Sequence, residues 1–318
     1  MTRLLAIRLV QAAFVLLVMS FLVYGLMGLM PGDPILLMAA GSPKMTAQDV
    51  AQLQALYGLD QPLLLRYGHW LRAALSGDLG FSRLSGQPVG MALQAPLHNT
   101  VLLMASALLL ALLLALPAGV MAALRQGRWL DHLFNLTAFA AISLPVFWMG
   151  LLLILLFAVD LAWLPASGVI TAGGQAGFLD RLAHLALPVT ALALAGFGHY
   201  LRYSRAAMIQ ALSQDWVRTA RAKGLSWSRV VTHHALRPAM IPVVTILALD
   251  LGTLFSGVLV TETVFAYPGM GKLIYDAVMG NDYNLALAGL LLATLLTLAG
   301  SLLADILYHL LDPRISLG

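Results

Sequence analysis

Apolar positions in this chain fall in long unbroken runs, not in the alternation of a half-buried strand or the stripes of a surface helix. Six runs reach the roughly 20 residues that a helix needs to cross a bilayer. They lie at about 9–30, 99–124, 133–159, 182–201, 239–261 and 285–308. They lack period-two alternation and are too long for barrel strands. Lipid offers no partner to backbone N–H and C=O groups, so the runs predict six helices. The first run follows Arg3 and Arg8, as a signal peptide would. Its length, and Pro31-Gly32-Asp33-Pro34 in place of a small-residue cleavage site, predict a retained span.

Two polar connections carry patterns of their own. Within 31–98, "MTAQDVAQLQALYG" puts Val50, Leu53, Leu56 and Tyr57 on one helical face, with Thr46 as N-cap and Gly58 as stop. "QPLLLRYGHWLRAALSGD" predicts a second short helix from Pro62, ending by Gly77. Two such helices either cover the bundle or form a platform for a soluble partner. Residues 209–238 exceed the usual 2–8-residue link between helices. There Asp215 is placed to cap a turn, "WVRTARAKG" favours helix and closes at Gly224, and a second helix restarts at Ser226 or Ser228. No tandem repeat or low-complexity tract is found.

Composition agrees with the pattern. Hydrophobic residues make up 60% of the 318 and charged residues 10%, against about 25% charged in soluble domains. The chain is thus expected to be an integral membrane protein. It has no cysteine, which excludes disulfides and thiolate metal sites. Seven cations, Arg202, Arg205, Arg218, Arg221, Lys223, Arg229 and Arg237, crowd into 36 residues with Asp215 as the sole acid. With a cytoplasmic N-terminus, twelve Lys and Arg fall on inside segments. Six fall outside: Lys44, Arg66, Arg72, Arg83, Arg181 and Lys272. The positive-inside rule then puts both termini and 209–238 in the cytoplasm and 31–98 outside. Topology accounts for the basic balance, and no nucleic-acid partner is expected.

Catalytic motifs are missing. Gly269-Met270-Gly271-Lys272 resembles a P-loop fragment, but Leu273 stands where Ser or Thr is needed. HExxH and GxSxG are absent. No catalytic or metal-ligating residue is assigned, and adjacent His233 and His234 would diverge on a helix. Ionisable groups at membrane depth are functional candidates. Asp250 in mid-span, Ser256, and Glu262 at the outer end of the same run are the substrate-pathway candidates. Each carboxylate could equally be structural. Asp305 and His309 are spaced to pair; His184 and His199 lie near span ends. Pro117, Pro145, Pro188 and Pro242 permit bending. Gly252, Gly257, Gly289 and Gly300 permit close helix contact, including contact with a second subunit.

The stretch Arg218-Thr219-Ala220, three residues, Gly224, then Leu236 and Pro238, resembles the cytoplasmic "EAA" loop of ABC-importer permeases of the oligopeptide/dipeptide/nickel family. Arg218 and Thr219 stand where the general pattern has Glu and Ala. "PGDP", "YGLDQPLLLRYGHWL", "GDLGFS", "ISLPVFWMGLLLI", "WLPASG", "ETVFAYPGMGKLIYDAVMGNDY" and "DILYHLLDPRI" extend the resemblance in order along nearly the whole chain. It implies an all-α integral membrane protein with six transmembrane helices, a type I ABC importer permease (MetI-like) fold with a helical first periplasmic loop. Residues 1–30 would form the N-terminal segment and first helix, 31–98 the periplasmic loop, and 99–318 a five-helix core containing the coupling loop 209–238. ATPase coupling would fall to Asp215, Arg218, Thr219, Ala220, Arg221, Ala222, Lys223, Gly224 and Leu225.

The resemblance further implies a multi-pass protein of the bacterial inner membrane that moves short peptides by alternating access. This chain would bind no cofactor; ATP and Mg would sit on two partner ATPase subunits or domains. Other partners would be a second homologous permease, as a heterodimer, a periplasmic or lipid-anchored solute-binding protein, and membrane lipid. Nickel chelates, glutathione and opines remain alternative substrates. An ion-coupled carrier using Asp250, Glu262 and Asp305 is the rival mechanism, but the inverted repeats it predicts are not found. A non-transporting membrane scaffold is a third reading.

Overall fold

The structure is a computed structural model that describes residues 2–29, 46, 48, 61–171, 173, 177–253 and 258–311. Among them, five helices are long and apolar enough to cross a membrane, or six if one bent pair counts as a single span. The helices are α1 (Thr2–Gly28), α2 (Leu63–Leu75), α3 (Val89–Leu124), α4 (Trp129–Ser143), α5 (Val146–Leu153), α6 (Phe178–Leu212), α7 (Asp215–Ala222), α8 (Trp227–Arg229), α9 (Leu236–Thr253), α10 (Leu259–Val264), α11 (Met270–Met279) and α12 (Tyr283–Leu311). Wider π-helical turns extend α5 through Ile154–Asp160 and join α8 to α9 through Val230–Ala235. The chain divides into two compact units, one of residues 1–98 and 269–296, the other of 99–268 and 297–318.

In the first unit, α2 begins after Pro62 and ends at Ser76, as the sequence predicts. It is pinned to α1 by a 2.8 Å hydrogen bond between the Tyr67 and Ser20 hydroxyls. Around that bond Phe21, Tyr24, Tyr67 and Trp70 pack with ring centroids 5.2 to 6.0 Å apart. A small antiparallel hairpin, β1 (Phe81–Ser82) and β2 (Gln87–Pro88), is an addition that the sequence did not suggest. The buried Asp282 carboxylate holds it, accepting from Ser82 Oγ at 2.6 Å and from the Leu84 amide at 2.9 Å. Met27, Val89, Leu93, Met270, Ala277 and Leu285 form this unit's core. Gly289, expected to favour a second subunit, lies against Ile274 of its own chain; a Cβ there would meet it at 2.8 Å. The helix expected over Val50–Tyr57 lies outside the described residues, and so does Ser256.

The second unit is organised around α6. Alanines dominate its contacts: Ala111, Ala115, Ala118, Ala138 and Ala193 pack with Tyr200 and Leu201. Small side chains let helix backbones approach closely. At Gly119 and Gly198 no side chain fits: a Cβ would lie 1.9 Å from Ser204 Oγ at the first, and 2.5 Å from the Ala138 carbonyl oxygen at the second.

The run 133–159, predicted as one span, is instead two helices bent by 101° at Ser143–Pro145. Proline disfavours helical backbone in the residue before it and has no N–H for the preceding turn. Leu144 accordingly sits at φ −90°, ψ 127°. Pro117, Pro188 and Pro242 do not break their helices. The fourth span runs from Phe178 to Leu212, beyond the expected 182–201. Its polar ends escape a hydropathy window because side-chain partners within the protein satisfy them. At one end buried His184 bonds through Nδ1 to the Ser167 carbonyl at 2.9 Å, with Thr171 Oγ1 3.3 Å from Nε2. That makes His184 a clamp on the 167–171 loop, not an interfacial side chain.

Candidate functional site

Two places in the second unit gather polar side chains that the fold does not need for a simple bundle. One is the basic segment after α6. Gln214, not Asp215, occupies the N-cap of α7; Asp215 is its first helical residue, where an acid complements the helix dipole. The helix closes as Lys223 N bonds to Thr219 O and Gly224 N to Arg221 O, at 3.1 and 3.0 Å. Gly224 has φ +77°, the left-handed conformation that L side chains adopt rarely. Ser226 then caps α8 in extended geometry. Helix, glycine elbow and second helix therefore follow the predicted order.

The faces differ from expectation. The resemblance implied that Ala220 takes part in ATPase coupling, which would need it at the surface. Ala220 is instead buried with Val217 against Ala207, Met208 and Ala211 of α6 and Val230 and Val231. An alanine packs there because α7 lies close on α6. The outer face consists of Arg218, Thr219, Arg221, Ala222, Lys223 and Gly224, flanked by the half-exposed Trp216 and Trp227. Arg221 lies over the Trp227 ring, 5.1 Å from its centroid. Trp216 Nε1 donates to the His234 carbonyl at 3.1 Å.

Four of the seven crowded cations, Arg202, Arg205, Arg229 and Arg237, lie outside this face. Arg205 makes a two-pronged pair with Asp131, Nε–Oδ1 2.6 Å and Nη2–Oδ2 2.7 Å. Asp131 is buried, and also accepts from the Gly127 amide at 2.9 Å and from Asn135 Nδ2 at 2.8 Å. Sequence reading counted Arg205 as a topology marker and missed Asp131. The available signal was an acid in the first turn of α4; choosing its partner among eighteen cations required the fold.

The second place is a polar groove along α6. A cavity of about 180 Å³ is lined by Gly196, His199, Tyr200, Tyr203, Ile246 and Asp250. A larger one, about 550 Å³, shares His199 and Tyr203 and adds Asn135, Phe139, Arg202 and Arg205. Tyr200 donates to Asp250 Oδ2 at 2.8 Å. Arg202 lies 4.9 Å from the Phe139 ring centroid. Asp250 thus lines a cavity, as a pathway candidate must.

Glu262 lines neither of these two cavities. It is wholly buried, accepts a short hydrogen bond from Thr100 Oγ1, and ties α3 to α10. Asn99 Nδ2 donates to Pro268 O at 2.9 Å, and Tyr267 Oη donates to Asn99 O at 3.2 Å. Burial, then the Glu262 carboxylate, pushes the Tyr267 phenol up to about 12. The phenol therefore remains a donor at any working pH. Among the described residues, no three His, Asp or Glu side chains are grouped to hold a metal ion. The side chain of His309 lies outside the described residues.

Residues 115–317 match the family described as binding-protein-dependent transport system inner membrane component, and residues 1–90 match the N-terminal component of the same systems. The chain is 39% identical over 302 residues to the oligopeptide transport system permease protein AppB of Bacillus subtilis (strain 168), covering 95% of each chain. It is 35% identical over 317 residues to the dipeptide transport system permease protein DppB of Escherichia coli (strain K12), covering 93% of each. Against the glutathione transport system permease protein GsiC of Escherichia coli O6:H1 the identity is 38% over 300 residues, covering 94% of each.

Proposed function

From the premise that this chain belongs to the family of binding-protein-dependent transport system inner membrane components, we infer that it is the membrane permease of an ATP-driven importer of short peptides. It is not itself an enzyme. Energy comes from two separate ATPase subunits or domains, which hold ATP and Mg. The observation that carries the ATPase assignment is the exposed basic face of α7 beside the Gly224 elbow, on a chain without a P-loop of its own. Closure of the ATPases around nucleotide draws this face with it, and the spans alternate between outward and inward access. A binding protein delivers the peptide, and a second, related permease completes the pathway. Transport requires the two states to differ in affinity for peptide, since equal binding shifts no equilibrium.

The test is uptake by proteoliposomes holding the complete importer. Labelled di- to tetrapeptides are expected to accumulate only with ATP, and to be indifferent to a collapsed proton gradient. Uptake driven by the gradient without nucleotide would establish the ion-coupled reading instead. The relative named for glutathione transport supports a second substrate, so glutathione belongs among the solutes tested.

The Lys and Arg asymmetry supports cytoplasmic termini and a cytoplasmic α7, with residues 31–98 outside. The chain has no native cysteine, so single cysteines report cleanly. In spheroplasts an impermeant maleimide is expected to label Ser85→Cys and to spare Ser213→Cys until the membrane is opened. The reverse pattern would invert the topology.

A further inference from the structure

The groove along α6 is formed by two adjoining cavities that share His199 and Tyr203, with Asp250 in the wall of the smaller and Arg202 in the wall of the larger. We propose that it is a transit site for the backbone of a zwitterionic short peptide, with the α-ammonium on Asp250 and the α-carboxylate on Arg202 and His199; this rests on the peptide-importer reading. Gly196, His199, Tyr200 and Tyr203 recur at helical spacing and line the smaller cavity beside Asp250. Arg202, next to Tyr203 and turned about 100° around the helix from it, lines the larger one together with Ala206.

The two charges are held differently. Arg205 is already neutralised by Asp131. Arg202 makes only a stacking contact with Phe139, and no ion pair among the described residues. Its guanidinium therefore keeps the planar fork of donors that matches a carboxylate. Exposed His199 borders both cavities and can add a donor. Tyr200, itself buried, donates to Asp250 and fixes its carboxylate in the wall of the smaller cavity. Ionisable side chains at membrane depth characteristically face a water-filled path.

Binding through main-chain termini leaves the side chains unread, which suits a carrier of varied peptides and fixes only their direction of travel.

The experiment uses the complete importer in proteoliposomes and two probes. Each is tetra-alanine with a short bromoacetyl-bearing side chain, at either the first or the last residue. Permeases with Ile246→Cys or Ala206→Cys offer one thiol each, which displaces bromide to leave a thioether. Ile246→Cys is expected to react at least about fivefold faster with the first-residue probe, and Ala206→Cys with the last-residue probe, as the effective concentration at each end dictates. Excess tetra-alanine should suppress both reactions. Arg202→Gln and Asp250→Asn should each lower uptake roughly ten- to hundredfold at equal purified yield; Arg202→Lys should recover part of the loss.

Equal reaction of both probes at both thiols, or wild-type uptake in both charge variants, would overturn the transit site while leaving peptide import intact. Reversed labelling would overturn the assigned direction. A wild-type importer that neither takes up tetra-alanine nor hydrolyses ATP faster in its presence would remove the peptide reading, and the transit site with it.

Discussion

Asp131→Ala is expected to destabilise the folded chain by about 3–5 kcal/mol, the usual cost of breaking a buried, hydrogen-bonded ion pair from one side. The carboxylate is 3% exposed and accepts two bonds from Arg205, one from Gly127 and one from Asn135. Its removal strands a guanidinium that is only partly reached by water and undoes the turn leading into α4. Arg205→Ala should cost a similar amount, because an unpaired carboxylate is then left buried. The double replacement Asp131→Leu with Arg205→Met should recover much of the loss, since a well-packed apolar pair can equal a buried ionic one. Thermal unfolding of the purified permease in detergent measures all three. Single losses below about 1 kcal/mol, the scale of a surface pair, would mean that water reaches the site.

Gly224→Val is expected to abolish transport while leaving the permease inserted and folded. No atom lies within 4 Å of a Cβ built at Gly224, so the effect is conformational, not steric. At φ +77° a non-glycine residue is strained by about 1–3 kcal/mol, and a branched one most of all. The elbow relieves that strain by changing its backbone angles, which reorients the outer face of α7 relative to α8. Gly224→Asn tests the argument, because asparagine tolerates the left-handed region; it should keep most of the activity. Substrate-stimulated ATP hydrolysis and co-purification of the ATPase are the readouts. Wild-type values in Gly224→Val would leave the basic face as a mark of sidedness alone. Ala220→Glu is expected to bury a charge against α6 and so to lower stability as well as coupling.

Much of this fold was legible because lipid imposes one simple rule on the backbone, and apolar length follows from it. The helix–glycine–helix element was legible too, because Gly224 and Ser226 are local signals. Most of what escaped was non-local or depended on exact register. The hairpin at 81–88 is held by Asp282, two hundred residues after Ser82. The ends of α6 were cut short because Arg205 and Asp180 look like surface groups until Asp131 and Thr171 are brought to them. The inward face of Ala220 had a local signal that was passed over: Val217 and Ala220 stand three residues apart on α7 with Arg218 and Arg221 on the other side. Asp250 was singled out by its depth, but its partner Tyr200 reads in sequence as one more apolar side chain.

The length of α6 has a mechanical consequence. At 1.5 Å per residue its 35 residues form a rod of about 50 Å. Its last turns are cemented to the α7 face by Met208, Ala211, Val217 and Ala220. A tilt of about five degrees imposed there, with the near end as fulcrum, sweeps the far end through roughly 4–5 Å on a rod of this length. That end carries His184 and its grip on the 167–171 loop. Such a lever converts a small stroke at one membrane face into a displacement the size of a side chain at the other.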